Sequence, residues 1–174
     1  MQKILTPDFF NQPTIFVAQE LLGKYLVRKI NNQIISLKIN EVEAYDGPND
    51  LACHASKGKT ERTKIMFGPP GYFYVYMIYG MYWMLNIVTG PKDYPCAILI
   101  RGAGKFNGPG KLTKNLLIDK TFNSKLASID TELWFEDSNE KIFKKNIIKT
   151  PRIGVNYAGP IWSKKLYRFV LKED

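Results

Sequence analysis

Cysteine and histidine are nearly missing from this chain. Cys53, Cys96 and the single His54 are all that 174 residues provide, and no zinc-finger spacing can be built from them, so no metal is expected. The leading segment MQKILTPDFF has no apolar core of the kind that directs secretion. This predicts an intracellular protein, cytoplasmic or nucleoid-associated, with reduced thiols; a Cys53–Cys96 disulfide is the minor alternative. Acidic residues are also scarce. Asp and Glu number 16 against 25 Lys and Arg, a net charge of +9. That balance favours an acidic partner, nucleic acid first and an anionic membrane surface second, although a basic domain can also lack any such partner. No repeat, low-complexity tract or linker interrupts the chain, so one domain is expected over 1–174, with 45% apolar residues to supply its core.

What is present is concentrated in the uncharged, aromatic stretch from Gly71 to Val88, GYFYVYMIYGMYWMLNIV. Its length approaches that of a membrane-spanning helix, yet Tyr74, Val75, Tyr76, Ile78, Tyr82 and Trp83 are strand formers. Gly80 supplies the positive φ of a tight turn, so two short strands meeting at Tyr79-Gly80 are the better reading, and no membrane span is expected. A large tyrosine at a hairpin tip exposes apolar surface for no gain in turn geometry. The tract is either a buried core hairpin or a wedge for a partner.

Elsewhere, Thr6-Pro7 opens a short helix, and Pro13-Thr14 opens a second with Ile15, Val17, Ala18, Leu21 and Leu22 on one face and Gly23 as its stop. Tyr25–Ile30 and Ile34–Tyr45 read as strands around Asn31-Asn32-Gln33. Strict alternation puts Ile35, Leu37, Ile39, Glu41, Glu43 and Tyr45 on one face, so an apolar row runs into two carboxylates. Either the strand emerges into solvent there, or one glutamate is a base in a cleft. The loop from Asp46 to Pro70 holds His54 and a basic cluster at Lys57, Lys59, Arg62 and Lys64. Pro95–Ile100 is an apolar strand ending on Arg101. The sequence GAGKFNGPGKLT beyond it fails the P-loop template, with Lys105 and Leu112 at positions that need Gly and Ser or Thr. Gly108-Pro109-Gly110-Lys111 still opens a helix that aims an ammonium at an anion, or is a plain loop. A further strand is expected around Leu133, Trp134 and Phe135, and Ile153–Val155 and Tyr167–Leu171 are further apolar runs.

Several motifs then stand in order: DFFNQP, EVEAY at Glu41–Tyr45, LACHAS around His54, YVYMIYGMYWMLN from Tyr74 to Asn86, AILIRG ending on Arg101, GPGKL from Gly108 and RIGV from Arg152. Together they resemble the alkyladenine (3-methyladenine) DNA glycosylase family along almost the whole chain. The resemblance implies an α+β fold, a single compact domain around a curved, largely antiparallel sheet from which a hairpin protrudes. It also implies excision of alkylated or deaminated purines from double-stranded DNA by a monomer, with no cofactor. On that template Glu43 activates water and Arg101 is its charged neighbour. Tyr45, His54 and Tyr76 hold the flipped base, Asn86 polices purine substituents, and Tyr79 is wedged into the DNA. Lys111 and Arg152 are the candidate contacts to the DNA backbone. The segment SKGKTERTK after His54 departs from the family's recognition loop.

Other readings fit parts of the pattern. A non-catalytic nucleic-acid-binding module would use the same basic surface and aromatics. A lyase could form a Schiff base through a lysine. Glu41 and Glu43 lie too close on one strand for the paired carboxylates of a glycoside hydrolase.

Overall fold

A computed structural model describes residues 3–172; Met1, Gln2, Glu173 and Asp174, the ends of the expected 1–174 domain, lie outside them. Helix α1 (Pro7–Phe10) starts on a proline, whose fixed φ and missing N–H suit a first helical position. Helix α2 (Thr14–Leu21) buries Val17, Ala18 and Leu21, the face that the spacing predicts. Strands β1 (Tyr25–Ile30) and β2 (Gln33–Asp46) follow. Asn31 and Asn32 between them both take left-handed conformations, at φ 48° and 64°. A two-residue turn of this kind matches the natural twist of paired strands.

The remaining strands are β3 (Phe73–Ile78), β4 (Tyr82–Val88), β5 (Cys96–Ala103), β6 (Phe106–Asn107), β7 (Leu133–Glu136), β8 (Ile147–Thr150) and β9 (Arg168–Leu171). Helices α3 (Pro109–Asn115) and α4 (Gly159–Trp162) complete the set. The sheet runs β3-β4-β5-β2-β1-β7; β6 pairs with β5, and β8 with β9, which joins β2. Its pairings are antiparallel, so the fold is α+β as expected. The long β2 does double duty: its first half pairs with β1 and its second with β5.

Alternation divides the sheet into two working faces. Phe73, Val75, Leu85, Ile87, Ile98, Ile100, Val42 and Ala44 belong to the main core, which α2 and α3 help to cover with Val17, Leu21 and Leu112. The residues between them face the opposite side, under the 47–70 loop. There Tyr74, Val88 and Ala97 pack with Cys53, Ala55 and Met66.

One expectation needs correction here. Ile39 and Glu43 do not share a face, because the β2–β5 register shifts between Ile39 and Glu41 and again between Glu41 and Val42. Such a bulge inserts an extra residue and reverses which side of the sheet the following residues meet. Ile39, Val42 and Ala44 all enter the main core, and Glu43 and Tyr45 turn to the other side. The apolar row therefore does not run into the carboxylates; it is switched away from them.

The β3–β4 hairpin protrudes. At its tip Tyr79 and Gly80 have φ of 51° and 67°, and the Met81 N–H donates to the Ile78 carbonyl at 3.1 Å. Gly110 lets α3 pack against the hairpin, since a Cβ there would lie 2.7 Å from the Tyr82 ring.

Candidate active site

Register builds the site. Tyr74 lies opposite Asn86, Asn86 opposite Leu99, and Leu99 opposite Glu43, so one row crosses β3, β4, β5 and β2. Residues directly opposed in antiparallel pairs point to the same face. The neighbouring rows add Tyr76 opposite Met84, and Tyr45 opposite Ala97. All of these residues line a cavity of about 350 Å³, closed on its other sides by Ala52 and His54 from the long loop and by Ile153 to Val155 and Tyr157. Tyr79 and Pro109 also reach its lining.

Glu43 is fully buried among these walls. Its Oε1 accepts the Ile153 N–H at 2.7 Å, and its Oε2 accepts the Tyr45 hydroxyl at 2.9 Å. Arg101 approaches Oε2 at 3.5 Å through one guanidinium nitrogen, while its Nε donates to Glu41 at 2.7 Å. Burial pushes the Glu43 pKa up; Arg101, the Ile153 N–H and Tyr45 pull it back, and the net shift is upward. Glu41 goes the other way: burial would raise it, but hydrogen bonds from Arg168 and Arg101 hold it below the ordinary value. The two carboxylates that look alike in sequence are thus shifted in opposite directions. Glu41 accepts from two arginines through its Oε1, and Glu43 is a desolvated carboxyl group facing the cavity.

Aromatic rings form the walls. Tyr45 and Tyr76 are largely buried, and burial raises both phenols, Tyr45 well above its ordinary value. The His54 ring meets Tyr76 edge-on at a centroid distance of 4.7 Å. Burial, reinforced by Arg62 and Lys57, lowers His54 to about 4, so its imidazole is neutral at pH 7. Asn86 spends its amide N–H groups on the carbonyls of Tyr74, at 3.0 Å, and Met84, at 3.3 Å. Its carbonyl oxygen is the polar atom left for the cavity.

The structure brings Glu43, Arg101, Tyr45, His54, Tyr76 and Asn86 together around this one cavity, with Tyr79 at its rim. Tyr79 is 84% exposed. Lys111 is exposed on α3, two residues beyond the cavity-lining Pro109. Arg152 does not fit its expected place on the DNA backbone. Its guanidinium is buried; it grips both carboxylate oxygens of Asp50 and donates to the Ala44 carbonyl at 2.8 Å. It also stacks between Tyr45 and Tyr167, at 4.8 and 5.3 Å from the ring centroids. No phosphate can reach a cation enclosed in this way. Arg152 instead supports Tyr45 from behind and anchors the segment that brings Ile153 to Glu43.

Known proteins are similar to this chain along most or all of its length. The family model for methylpurine-DNA glycosylase (MPG) matches residues 8–106 and 102–174. The chain belongs to this family. A provisionally named 3-methyladenine DNA glycosylase of Legionella pneumophila (strain Paris) is 44% identical, covering 100% of this chain and 97% of the relative. Proteins of the same provisional name from Borrelia garinii subsp. bavariensis and Methanocella arvoryzae are 46% and 43% identical, covering 95% and 90% of this chain and 95% and 86% of the relatives.

The geometry adds residues that carried little or no signal in the sequence. The Ile153 N–H donor carries no side-chain signal. Arg168, which shares Glu41 with Arg101 at 2.7 Å, comes from a strand remote in sequence. Tyr157, whose hydroxyl donates to the Ala52 carbonyl at 2.9 Å, lay in a stretch without periodicity. Arg62 was visible only as one charge in a basic cluster.

Proposed function

We propose that this member of the methylpurine-DNA glycosylase family rotates alkylated or deaminated purines out of double-stranded DNA and hydrolyses their N-glycosidic bond. The observation that carries the proposal is a fully buried carboxylate, Glu43, in an aromatic-walled cavity whose rim bears an almost fully exposed tyrosine. A role in DNA repair as a 3-methyladenine DNA glycosylase follows from the family and from its named relatives.

A damaged base cannot be reached inside the duplex, and extruding it costs roughly a few kcal/mol of stacking. Tyr79, presented on a stiff two-strand support, fills the gap and offsets that cost. The flipped base enters between Tyr45, Tyr76 and His54. Electron-rich rings suit an alkylated purine, which carries positive charge. The Asn86 carbonyl oxygen then favours a hydrogen-bond donor on the ring edge beside it.

Glu43 takes a proton from a water as the water's oxygen bonds to C1′. The electrons of the breaking glycosidic bond pass to the purine, and a cationic alkylpurine leaves as a neutral base. The raised basicity of Glu43 suits proton abstraction, and Arg101 pulls its pKa back down and so favours the carboxylate form. The product is an unnicked abasic site, released by a monomer. Exposed Lys111 takes a phosphate near the hairpin.

Duplexes carrying a single 3-methyladenine, hypoxanthine or ethenoadenine site, treated with the protein and then with alkali, test this reading. Cleavage at the damaged position only after alkali supports it. A protein that binds these duplexes but releases no base is a binding module instead.

A further inference from the structure

Behind the aromatic wall lies a chain of hydrogen bonds that the proposed chemistry leaves unused. Arg62 Nε donates to the Tyr74 hydroxyl at 3.3 Å, and that hydroxyl stands 3.0 Å from His54 Nδ1. The Arg62 guanidinium also lies over the Tyr76 ring, 4.9 Å from its centroid, and it is not part of the cavity lining. Proton counting fixes the direction of the chain. An arginine side chain can only donate, so the Tyr74 oxygen is an acceptor toward Arg62 and has a single proton of its own. The phenol oxygen has a second lone pair, but the Tyr74 side chain is buried and its hydroxyl has no acceptor among the described residues other than His54 Nδ1. Its proton is therefore satisfied only if Nδ1 is the unprotonated ring nitrogen. A neutral imidazole carries its hydrogen on one nitrogen only, so the hydrogen sits on Nε2. That atom has no hydrogen-bond partner among the described residues, yet it is not one of the buried unpartnered atoms, which are Asn40 Oδ1 and Arg152 Nε. His54 itself lines the cavity.

We propose that Arg62, acting through Tyr74, is a positioning residue that locks His54 in its Nε2–H tautomer, so that this wall offers the flipped base one N–H donor. The cavity then has opposite polar preferences at two places: an acceptor at Asn86 and a donor at His54. Bases with a lone pair facing His54, such as an oxo group or an unsubstituted ring nitrogen, are favoured over bases with an amino group there. The charged and titratable groups around the imidazole act in the same direction. Arg62 and Lys57 oppose its protonation, and the Tyr74 and Tyr76 phenols are raised by burial and stay neutral.

The donor preference rests on the glycosylase reading, but the tautomer does not, and this separates the two tests. His54 is the only histidine, so ¹⁵N-histidine labelling gives one imidazole spin system in the free protein. The spectrum expected at pH 7 is a neutral ring with protonated Nε2 and bare Nδ1. Arg62→Met and Tyr74→Phe should convert it to a mixture of tautomers, and Arg62→Lys, which retains a donor, should largely restore it. In parallel, the kcat/KM ratio for hypoxanthine over a purine with an amino group at the corresponding edge should fall about tenfold in Arg62→Met, the value of one hydrogen bond. A wild-type Nδ1–H tautomer, or a spectrum unmoved by Arg62→Met and Tyr74→Phe, overturns the proposal. A tautomer that responds while the selectivity ratio holds constant overturns the donor role. Failure to release any base from any duplex overturns the glycosylase reading, with the tautomer still decided by the spectrum.

Discussion

Tyr79 holds a conformation that its own chemistry opposes. At φ 51° its Cβ crowds the backbone, a cost of roughly 1–2 kcal/mol for an L-residue, and its ring gains nothing from packing because it is exposed. Asparagine or glycine would fit the turn better. Tyr79→Asn should therefore leave the fold as stable or stabilise it by up to about 1 kcal/mol in chemical denaturation, while base release from a duplex drops far more than binding to undamaged DNA. Equal losses in release and in binding would remove the wedge. Glu43 gives a second expectation. Its pKa is raised above the ordinary 4.5 by burial, and a base works only when deprotonated. The acidic limb of the kcat/KM profile should thus lie above that value, with activity gained as pH rises through it. Arg101 lowers the Glu43 pKa, so Arg101→Leu should move the limb to higher pH. A limb that stays in place would separate Arg101 from the ionisation of Glu43. These residues stood out in sequence because tyrosine at a turn and glutamate in a strand are both locally unfavourable. Arg152 misled for the complementary reason: sequence shows a cation but not whether a buried carboxylate waits for it.

Strands and helices were read well where the pattern is local. The β1 strand and a turn at Asn31-Asn32-Gln33 follow from strand propensity and turn chemistry, although Gln33 already belongs to β2, and the core-facing residues of α2 follow from helical spacing. The bulge near Glu41 has no such signal, since it depends on how β2 meets β5 about 60 residues away in sequence, and it decides which face Glu43 occupies. Short β8 was also missed; its four residues, IIKT, are only partly buried and pair with the equally short β9. The segment from Arg152 to Val155 shows what long-range pairing adds. Arg152 and Asp50 form a buried ion pair that ties this segment to the loop after β2, and the same segment delivers the Ile153 N–H to Glu43. Arg152→Met should destabilise the protein by about 3–5 kcal/mol, because it strands a buried carboxylate. Denaturant unfolding checks this. A variant of unchanged stability with a shallower salt dependence of DNA binding would return Arg152 to the DNA surface.

Across the molecule, one sheet serves two purposes. Its first face is closed by α2 and α3 into a core, and its second is roofed only by loops, which leaves a cavity with a charged, desolvated end and an aromatic middle. The net charge of +9 belongs outside this cavity, where cations replace condensed counterions on DNA. Lys111→Ala should weaken binding about equally on damaged and undamaged duplexes and reduce the slope of log K against log salt by about 0.9. A loss confined to damaged duplexes would place Lys111 in base recognition. Among the described residues, no helix is long and apolar enough to cross a membrane, which agrees with reading the aromatic tract as a hairpin. The claim on which the rest depends is that Glu43 is the base for hydrolysis. Single-turnover release of 3-methyladenine by Glu43→Gln, with DNA binding measured alongside, tests it. The account predicts a loss of at least about 100-fold in release rate with binding retained. Release at the wild-type rate would contradict it.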